Sequence, residues 1–380
     1  MIYLDNAATT LMKPPAVPEA VLSAFGHLGN AGRGVNSAAL DASRSLFSAR
    51  EAVAELFHAA RPQQVAFTLN VTQALNMAIQ GLCAPGDRIV TTAADHNSVL
   101  RPCRMMRDQG AEVEIVPCDK QGCLDWQAME NLVGDGTRML VMTQASNVTG
   151  NVYDIRRAAK LAHSRGALFV LDSAQSAGHI EINMEALGID VLCFTGHKGL
   201  YGPQGTGGLC LRPGLEIRPV LSGGTGVQSY NPHQPPEMPT VLEAGTLNGP
   251  GIAGLEAGVR FVLEKGPETI GRRTAELADR FLVGVRKISG IILYGDFSSP
   301  RTSTISLNLA DYDAASVSDA LYENYGIATR AGAHCAPLMH EALGTKERGT
   351  VRFSFSWFTT EAEVDAAVKA LTELASGQSA

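Results

Sequence analysis

What this 380-residue chain has little of narrows its class first. Charged residues make up 18% of it and apolar ones 45%, which excludes a disordered chain and leaves a globular one. Its 31 basic residues fall short of its 38 acidic ones, for a net charge of −7, and no basic run marks a nucleic-acid surface. No apolar stretch reaches the length of a membrane span, and the opening MIYLDNAATT lacks the charged-then-apolar pattern of a secretory signal. A cytoplasmic protein with no membrane partner is therefore expected. The seven cysteines (Cys83, Cys103, Cys118, Cys123, Cys193, Cys210, Cys335) are odd in number and include no CxxC pair, so neither a disulfide framework nor a metal cluster is indicated. Cys83, Cys193 and Cys210 stand in apolar contexts and read as buried packing residues. Internal repeats are missing as well.

What is present is an alternation of short apolar runs with helical patterns. Strands are expected at Val65–Leu69, Arg88–Thr92, Glu112–Pro117, Met139–Thr143, Leu168–Leu171, Val191–Phe194 and Gly207–Leu211. Helical spacing between most of them, as in Ile155-Ala158-Ala159-Ala162, implies an α/β fold with a mainly parallel, doubly wound sheet. The link from Phe194 to Gly207 is too short and too rich in Gly and Pro for a crossover helix, so the last strand should run antiparallel. Residues 222–240 should form a loop. Beyond about Gly251 the pattern changes to helices over Ile252–Leu263 and Thr274–Ile288, an alternating strand Thr302–Leu309, and a helix from Ala314 stopped by Gly326. A final helix starts at Glu361, with Thr360 and Glu363 as a capping box. We read a large domain over 1–250, with an N-terminal arm at 1–20, and a smaller α+β domain over 251–380.

Chemistry concentrates at strand ends. Gly196-His197-Lys198-Gly199 follows the apolar run 189–194, where open α/β sheets bind ligands. A desolvated lysine is the usual Schiff-base partner of an aldehyde cofactor, although a solvated loop lysine would look the same in isolation. Asp172 ends another apolar run, and a buried carboxylate there needs a cation or hydrogen-bond donors. The turn Asn70-Val71-Thr72-Gln73 joins a strand to the helical stretch Ala74 to Leu82, which aims free N–H groups at an anion. A lysine, an acid and a phosphate cradle on three strand ends are what pyridoxal 5′-phosphate (PLP) requires.

Ordered segments carry a resemblance. YLDNAATT at 3–10, FTLNVTQALN at 67–76, ADHNSVL at 94–100, SNVTG at 146–150, LDSAQSAGH at 171–179, TGHKGLYGPQGTGGL at 195–209, EAGTLN at 243–248, RAGAHCAP at 330–337 and RFSFSWFTTEAEVD at 352–365 occur in that order. The chain thereby resembles the class V aminotransferases of PLP fold type I, and among them the cysteine desulfurase and selenocysteine lyase group. YLDNAATT is similar to the NifS-like branch and the short RAGAHCAP loop to the SufS-like branch.

The resemblance implies a seven-stranded, mainly parallel sheet with one antiparallel strand, and a homodimer with a shared active site. It implies Lys198 as Schiff-base lysine and base, Asp172 at the pyridine nitrogen, Gln175 at the phenolic oxygen and Asn147 on that side of the ring. It implies that His96 stacks on the ring, that Thr72, Thr195 and His197 meet the phosphate, and that Thr246 reaches it from the other subunit. Cys335 becomes the sulfur nucleophile, its thiolate favoured by His334 and Arg330, against a bland reading as a small buried residue. Arg352 holds the substrate carboxylate through a guanidinium fork, with Arg330 in a related role.

The implied reaction converts L-cysteine to L-alanine with a persulfide on Cys335, for a possible sulfur-acceptor protein. The alternatives are a selenocysteine lyase, another class V activity (epimerase or transaminase) with Cys335 a spectator, and a scaffold that has lost catalysis. The intact Lys198, Asp172, His96 and Arg352 argue against the last. Three departures bear on substrate and acceptor preference: Gly32-Arg33-Gly34-Val35-Asn36 where relatives carry histidines, Trp357-Phe358-Thr359 where they read tyrosine–asparagine–threonine, and Gln73 where glutamate is common.

Overall fold

A computed structural model describes residues 1–31 and 36–377, so the departure at Gly32–Val35 lies outside the described residues. In chain order the strands are β1 (Ile2–Tyr3), β2 (Val65–Thr68), β3 (Arg88–Thr92), β4 (Glu112–Val116), β5 (Thr137–Thr143), β6 (Leu168–Asp172), β7 (Val191–Thr195) and β8 (Gly207–Leu211), then β9 (Ile291–Tyr294), β10 (Thr304–Leu309), β11 (Ile327–Ala328), β12 (Arg330–Gly332) and β13 (Thr350–Ser354).

The large sheet is seven-stranded, in the order β2-β8-β7-β6-β5-β3-β4. Its pairs are parallel except those of β8, which runs antiparallel to both β7 and β2. The short link after β7 thus has the consequence expected of it. Strands β6, β7 and β8 are buried along their whole length, because helices cover both faces. The two apolar clusters that fill those faces draw alternate residues of the same strands: Phe169 and Leu171 pack on one side, Leu168 and Val170 on the other. At the β2 edge, where open backbone would invite pairing, Arg50 Nη1 donates to the Val65 carbonyl (2.6 Å) and the Phe67 amide donates to Glu243 Oε1 (2.8 Å).

The second sheet has the order β12-β13-β10-β9 and its own apolar cluster. The pattern-based division at 250/251 runs through the helix Gly249–Lys265, whose Ile252, Leu255, Val259 and Val262 pack in the same cluster as Phe194. At the other terminus, β1 pairs with β11 and Leu4 joins the smaller cluster.

Several element ends differ from the sequence reading for local reasons. The helix after β2 begins at Val71, not Ala74, because Asn70 accepts the Gln73 amide as its N-cap. The helix read from Thr274 starts at Pro267, which follows Gly266 and supplies a proline in the first turn. Strand β10, expected to alternate, is buried throughout, since its second face packs against the large unit, as in the Ser306 hydroxyl donating to the Val148 carbonyl (2.6 Å). Gly326 adopts a left-handed conformation (φ 65°) after the helix Ala314–Tyr325, and the Thr360–Glu363 capping box forms. Residues 222–240 contain no helix or strand.

Candidate active site

The strands of the large sheet that carry site residues do so at their carboxyl ends. Thr72 follows β2, His96 follows β3, Asn147 follows β5, Gln175 follows β6 and Lys198 follows β7. Together with Asp172, Thr195, His197, Arg330, Cys335 and Arg352 they line one cavity of about 290 Å³. Eleven of the twelve residues singled out from the sequence thus meet in one place. The twelfth, Thr246, is exposed and lines a separate cavity with Arg50 and Glu243.

The Lys198 loop is set by close backbone packing. A Cβ on Gly196 would strike the Thr206 hydroxyl, and one on Gly199 the Ala177 carbonyl, so only glycine fits on either side of the His197-Lys198 pair. From the N-terminal arm, Thr10 donates its amide to the His197 carbonyl (3.0 Å) and its hydroxyl to the Lys198 carbonyl (3.2 Å). Burial lowers the Lys198 amine to about 8, against the opposing pull of Asp172. Asp172 is itself buried; that burial raises its pKa, while the Ala174 amide donated to Oδ1 (2.9 Å) and the charge of Lys198 oppose the rise. A cation placed at this carboxylate would find a ready counter-charge.

His96 caps the helix Asn97–Asp108, its Nδ1 accepting the Ser98 amide (3.0 Å). An amide can only donate, so the neutral ring carries its proton on Nε2. Burial and the nearby Lys198 push His96 down to about 3, which keeps it neutral. The Ser98 hydroxyl lies 2.7 Å from the same Nδ1 and 2.9 Å from the Thr72 hydroxyl, linking the ring to the helix end at Val71.

A phosphate-bearing aldehyde fits these residues. The buried Thr195 Oγ1 and His197 Nδ1 have no hydrogen-bond partner among the described residues. They stand beside the N-terminus of the helix Val71–Leu82, where free amides favour an anion. Gln175 donates one amide hydrogen to the Ala7 carbonyl (3.1 Å) and retains a second.

The opposite wall comes from the smaller unit. Along β13, Val351 and Phe353 point into its apolar cluster, so period two sends Arg352 to the other face, toward the cavity. Arg330 is paired with Arg352 across β12 and β13, which sets two guanidinium stems side by side. Arg352 Nη2 donates to Asp5 Oδ1 (2.6 Å) and Nη1 to the Asn147 carbonyl (3.0 Å), leaving further N–H groups of the fork. Asn147 Nδ2 in turn donates to the His334 carbonyl (2.7 Å).

Cys335 is exposed, unlike Cys83, Cys103, Cys193 and Cys210, which are buried as packing residues. Burial raises all four of those thiols, Cys83 to about 12, which keeps them protonated. His334 and Cys335 are both left-handed (φ 50° and 56°), a conformation costing roughly 1–2 kcal/mol per non-glycine residue. The Asn97 amide donates to the Cys335 carbonyl (2.8 Å) and helps to hold it.

Three contributors were not assigned roles from the sequence. Asp5 lay within the quoted YLDNAATT, Asp95 and Ser98 within ADHNSVL, and a motif acid or hydroxyl beside an assigned residue was the available signal. Asp95 is fully buried and accepts the Thr92 amide (2.8 Å), both the Thr91 and Thr92 hydroxyls (2.8 Å each) and the Thr143 amide (2.6 Å), tying the ends of β3 and β5. Burial pushes it up to about 7 despite those donors.

Lysine and acid on the adjacent ends of β7 and β6, with an anion cradle after β2, define an enzyme of the fold-type I PLP class. The class-V aminotransferase family model matches residues 2–367, and the chain belongs to that family. It is 36% identical to cysteine desulfurase CsdA of Escherichia coli, covering 97% of this chain and 93% of that one. It is 34% identical to a probable cysteine desulfurase of Methanothermobacter thermautotrophicus, covering 98% of this chain and 94% of the relative. The apo structure of a cysteine desulfurase from Thermococcus onnurineus superposes with a TM-score of 0.92 at 32% identity, covering 99% of this chain and 95% of that chain.

Proposed function

We propose that this chain is a PLP-dependent cysteine desulfurase that converts L-cysteine to L-alanine and retains the sulfur as a persulfide on Cys335. The observation that carries the reading is that the exposed Cys335 lines the same cavity as the half-buried Lys198. PLP, when bound, supplies an electron sink for the bonds of the substrate α-carbon.

The chain's own residues do the rest. Lys198, lowered by burial to about 8, presents far more neutral amine near pH 7 than a lysine in water does, and serves to take and return the Cα proton. Asp172 is the counter-charge for a cationic ring nitrogen, and neutral His96 offers its Nε2–H to the cavity. Arg352, steadied by Asp5, orients the substrate carboxylate, with Arg330 beside it. The Cys335 thiolate then forms an S–S bond with the substrate sulfur as the Cβ–S bond breaks. The electron pair of the broken bond stays on carbon, which takes up a proton to become the methyl group of alanine.

We also propose a homodimer with a shared site. Thr246 is exposed on one protomer, away from that protomer's cavity, on a segment anchored by the bidentate Arg50–Glu243 pair (2.7 Å on both sides). An exposed persulfide on Cys335 is suited to delivery to an acceptor thiol.

The test is to incubate the PLP-loaded protein with L-cysteine or L-selenocysteine in parallel, measuring alanine and sulfide or selenide. Alanine equal to the sulfur released, with sulfur trapped on Cys335, is the expected result. Activity on selenocysteine alone would replace this reading by the lyase, and turnover of either substrate without Cys335 would make that residue a spectator.

A further inference from the structure

The Cys335 loop contains a buried polar chain that the reaction as described does not use. Thr345 Oγ1 lies 2.8 Å from His340 Nδ1, His340 Nε2 lies 3.4 Å from His334 Nδ1, and His334 Nε2 lies 3.0 Å from the Arg330 carbonyl. All three side chains are buried (His334 4%, His340 1% and Thr345 1% exposed). None of them is explained by packing alone, because each buried polar atom here costs free energy unless it is paired.

One carbonyl decides where every proton sits. The Arg330 carbonyl can only accept, so His334 Nε2 carries a hydrogen. Neutral His334 must then accept at Nδ1, and His340 Nε2 must donate to it. That leaves His340 Nδ1 as acceptor for the Thr345 hydroxyl, the reverse of an arrangement with a charged ring. Burial, reinforced by the Arg352 charge, holds His334 well below its usual range, and burial lowers His340 as well, so both rings stay neutral and His334, expected to favour the Cys335 thiolate, lends it no positive charge.

The chain closes the base of the loop. It starts on β12, crosses to the short helix Pro337–Ala342 and ends just after Gly344. His334 is the residue before the proposed nucleophile, and both are left-handed. Two hydrogen bonds hold this pair from outside, from Asn147 Nδ2 to the His334 carbonyl and from the Asn97 amide to the Cys335 carbonyl. Within the loop the Ala336 amide donates to the Ala333 carbonyl (2.9 Å) and closes a turn around the pair, while the imidazole chain anchors the His334 ring. Released from that chain, the His334 ring can turn and the strained pair can relax, which moves Sγ away from the substrate sulfur.

We infer that His340 and Thr345 are positioning residues for the Cys335 sulfur, acting through His334. The inference rests on the desulfurase reading for its consequence and on the loop geometry for its cause, and the experiment separates them. Holoenzyme carrying His340→Leu, His340→Gln or Thr345→Val is mixed with L-cysteine, and cofactor spectrum and Cys335 persulfide are followed through one turnover. In parallel, Cys335 alkylation by iodoacetamide is timed without substrate.

His340→Leu should bind PLP and change colour with L-cysteine as the parent does, yet form persulfide about 10²-fold more slowly, the scale of an ångström-sized misplacement. Its Cys335 should be alkylated faster than in the parent. His340→Gln should recover most of both losses, because its amide N–H can donate to His334 Nδ1. If His340→Leu fails to fold, the nearly isosteric Thr345→Val decides, with a smaller change in the same two readouts. Parent-like persulfide formation in His340→Leu, or in Thr345→Val where that variant decides, would overturn the inference, as would a Gln variant no better than the Leu variant. If the parent itself forms no persulfide on Cys335, the desulfurase reading fails, while the alkylation rates still judge the loop.

Discussion

Lys198 and Cys335 face one cavity but are held in different ways. Lys198 leaves a strand buried over its whole length, and its loop is wedged by glycines where any side chain would strike neighbouring atoms. Cys335 is exposed, on a loop whose backbone is strained at two successive residues and held by side-chain hydrogen bonds. The first arrangement protects a proton-transfer group from water and tunes its basicity by desolvation. The second leaves a thiol free to approach a substrate, accept sulfur and pass it on. A carrier cannot be buried, and a buried base should not move.

The sharpest break in this comparison is on the rigid wall. Lys198→Ala should cut alanine release from L-cysteine by roughly 10²–10⁴-fold or more, the range for a positioned acid–base group. The fold should survive, PLP should bind through its phosphate contacts, and borohydride should no longer fix it to the protein. Near-parental alanine release would end the lysine assignment.

Cys335→Ser should break only the other wall. Serine is a far poorer nucleophile at neutral pH, so cofactor colour and its response to L-cysteine should persist while persulfide stays undetectable. Sulfur found by peptide mass spectrometry on Cys83, Cys193 or Cys210 in the parent protein would refute the nucleophile assignment.

Asp172→Ala removes a charge-assisted contact worth about 1.5–3 kcal/mol, or roughly 10- to 100-fold in cofactor retention. Equilibrium dialysis against PLP reads this directly, and unchanged retention would show that the carboxylate does not meet the ring nitrogen.

Arg352→Lys should raise KM for L-cysteine about tenfold with less change in kcat, because an ammonium cannot hold Asp5, the Asn147 carbonyl and a substrate carboxylate as a planar fork does. An unchanged KM would transfer the carboxylate role to Arg330.

The smallest effect is in pH dependence. Only the neutral amine attacks an aldehyde, and burial brings Lys198 down to about 8 from 10.5. Covalent capture of PLP by cofactor-free protein should therefore rise with pH and level off just above 8, not near 10.5. A rise continuing to pH 10 would show an amine in water.

Legibility followed the same division. Strand β7 and Lys198 were readable because an unbroken apolar run ending in a glycine-flanked lysine is a local signal. Asp172 was readable for the same reason, although it proved to be the last residue of β6 and not the one beyond it. The start of the helix at Val71 was missed because Asn70, a side-chain cap, looks like any other turn residue until its partner amide is placed. Cys335 was assigned through the resemblance. Its left-handed backbone is not written in the sequence, since histidine enters that region only occasionally and cysteine has no preference for it.

The sequence by itself determined the strand segments of the large sheet, its antiparallel last strand, the capped C-terminal helix and the residue types that PLP needs. Each of these depends on periodicity, link length or a pattern spanning a few residues. Only the tertiary structure decided that Asp5 steadies Arg352 from 347 residues away, that Asp95 ties β3 to β5, and that Thr345 and His340 form one polar chain with His334 beside Cys335. Those pairings depend on how separate segments pack, which no local pattern encodes. A hydrogen bond is chosen by the atoms brought within 3 Å of each other, and distance along the chain says little about which atoms those are.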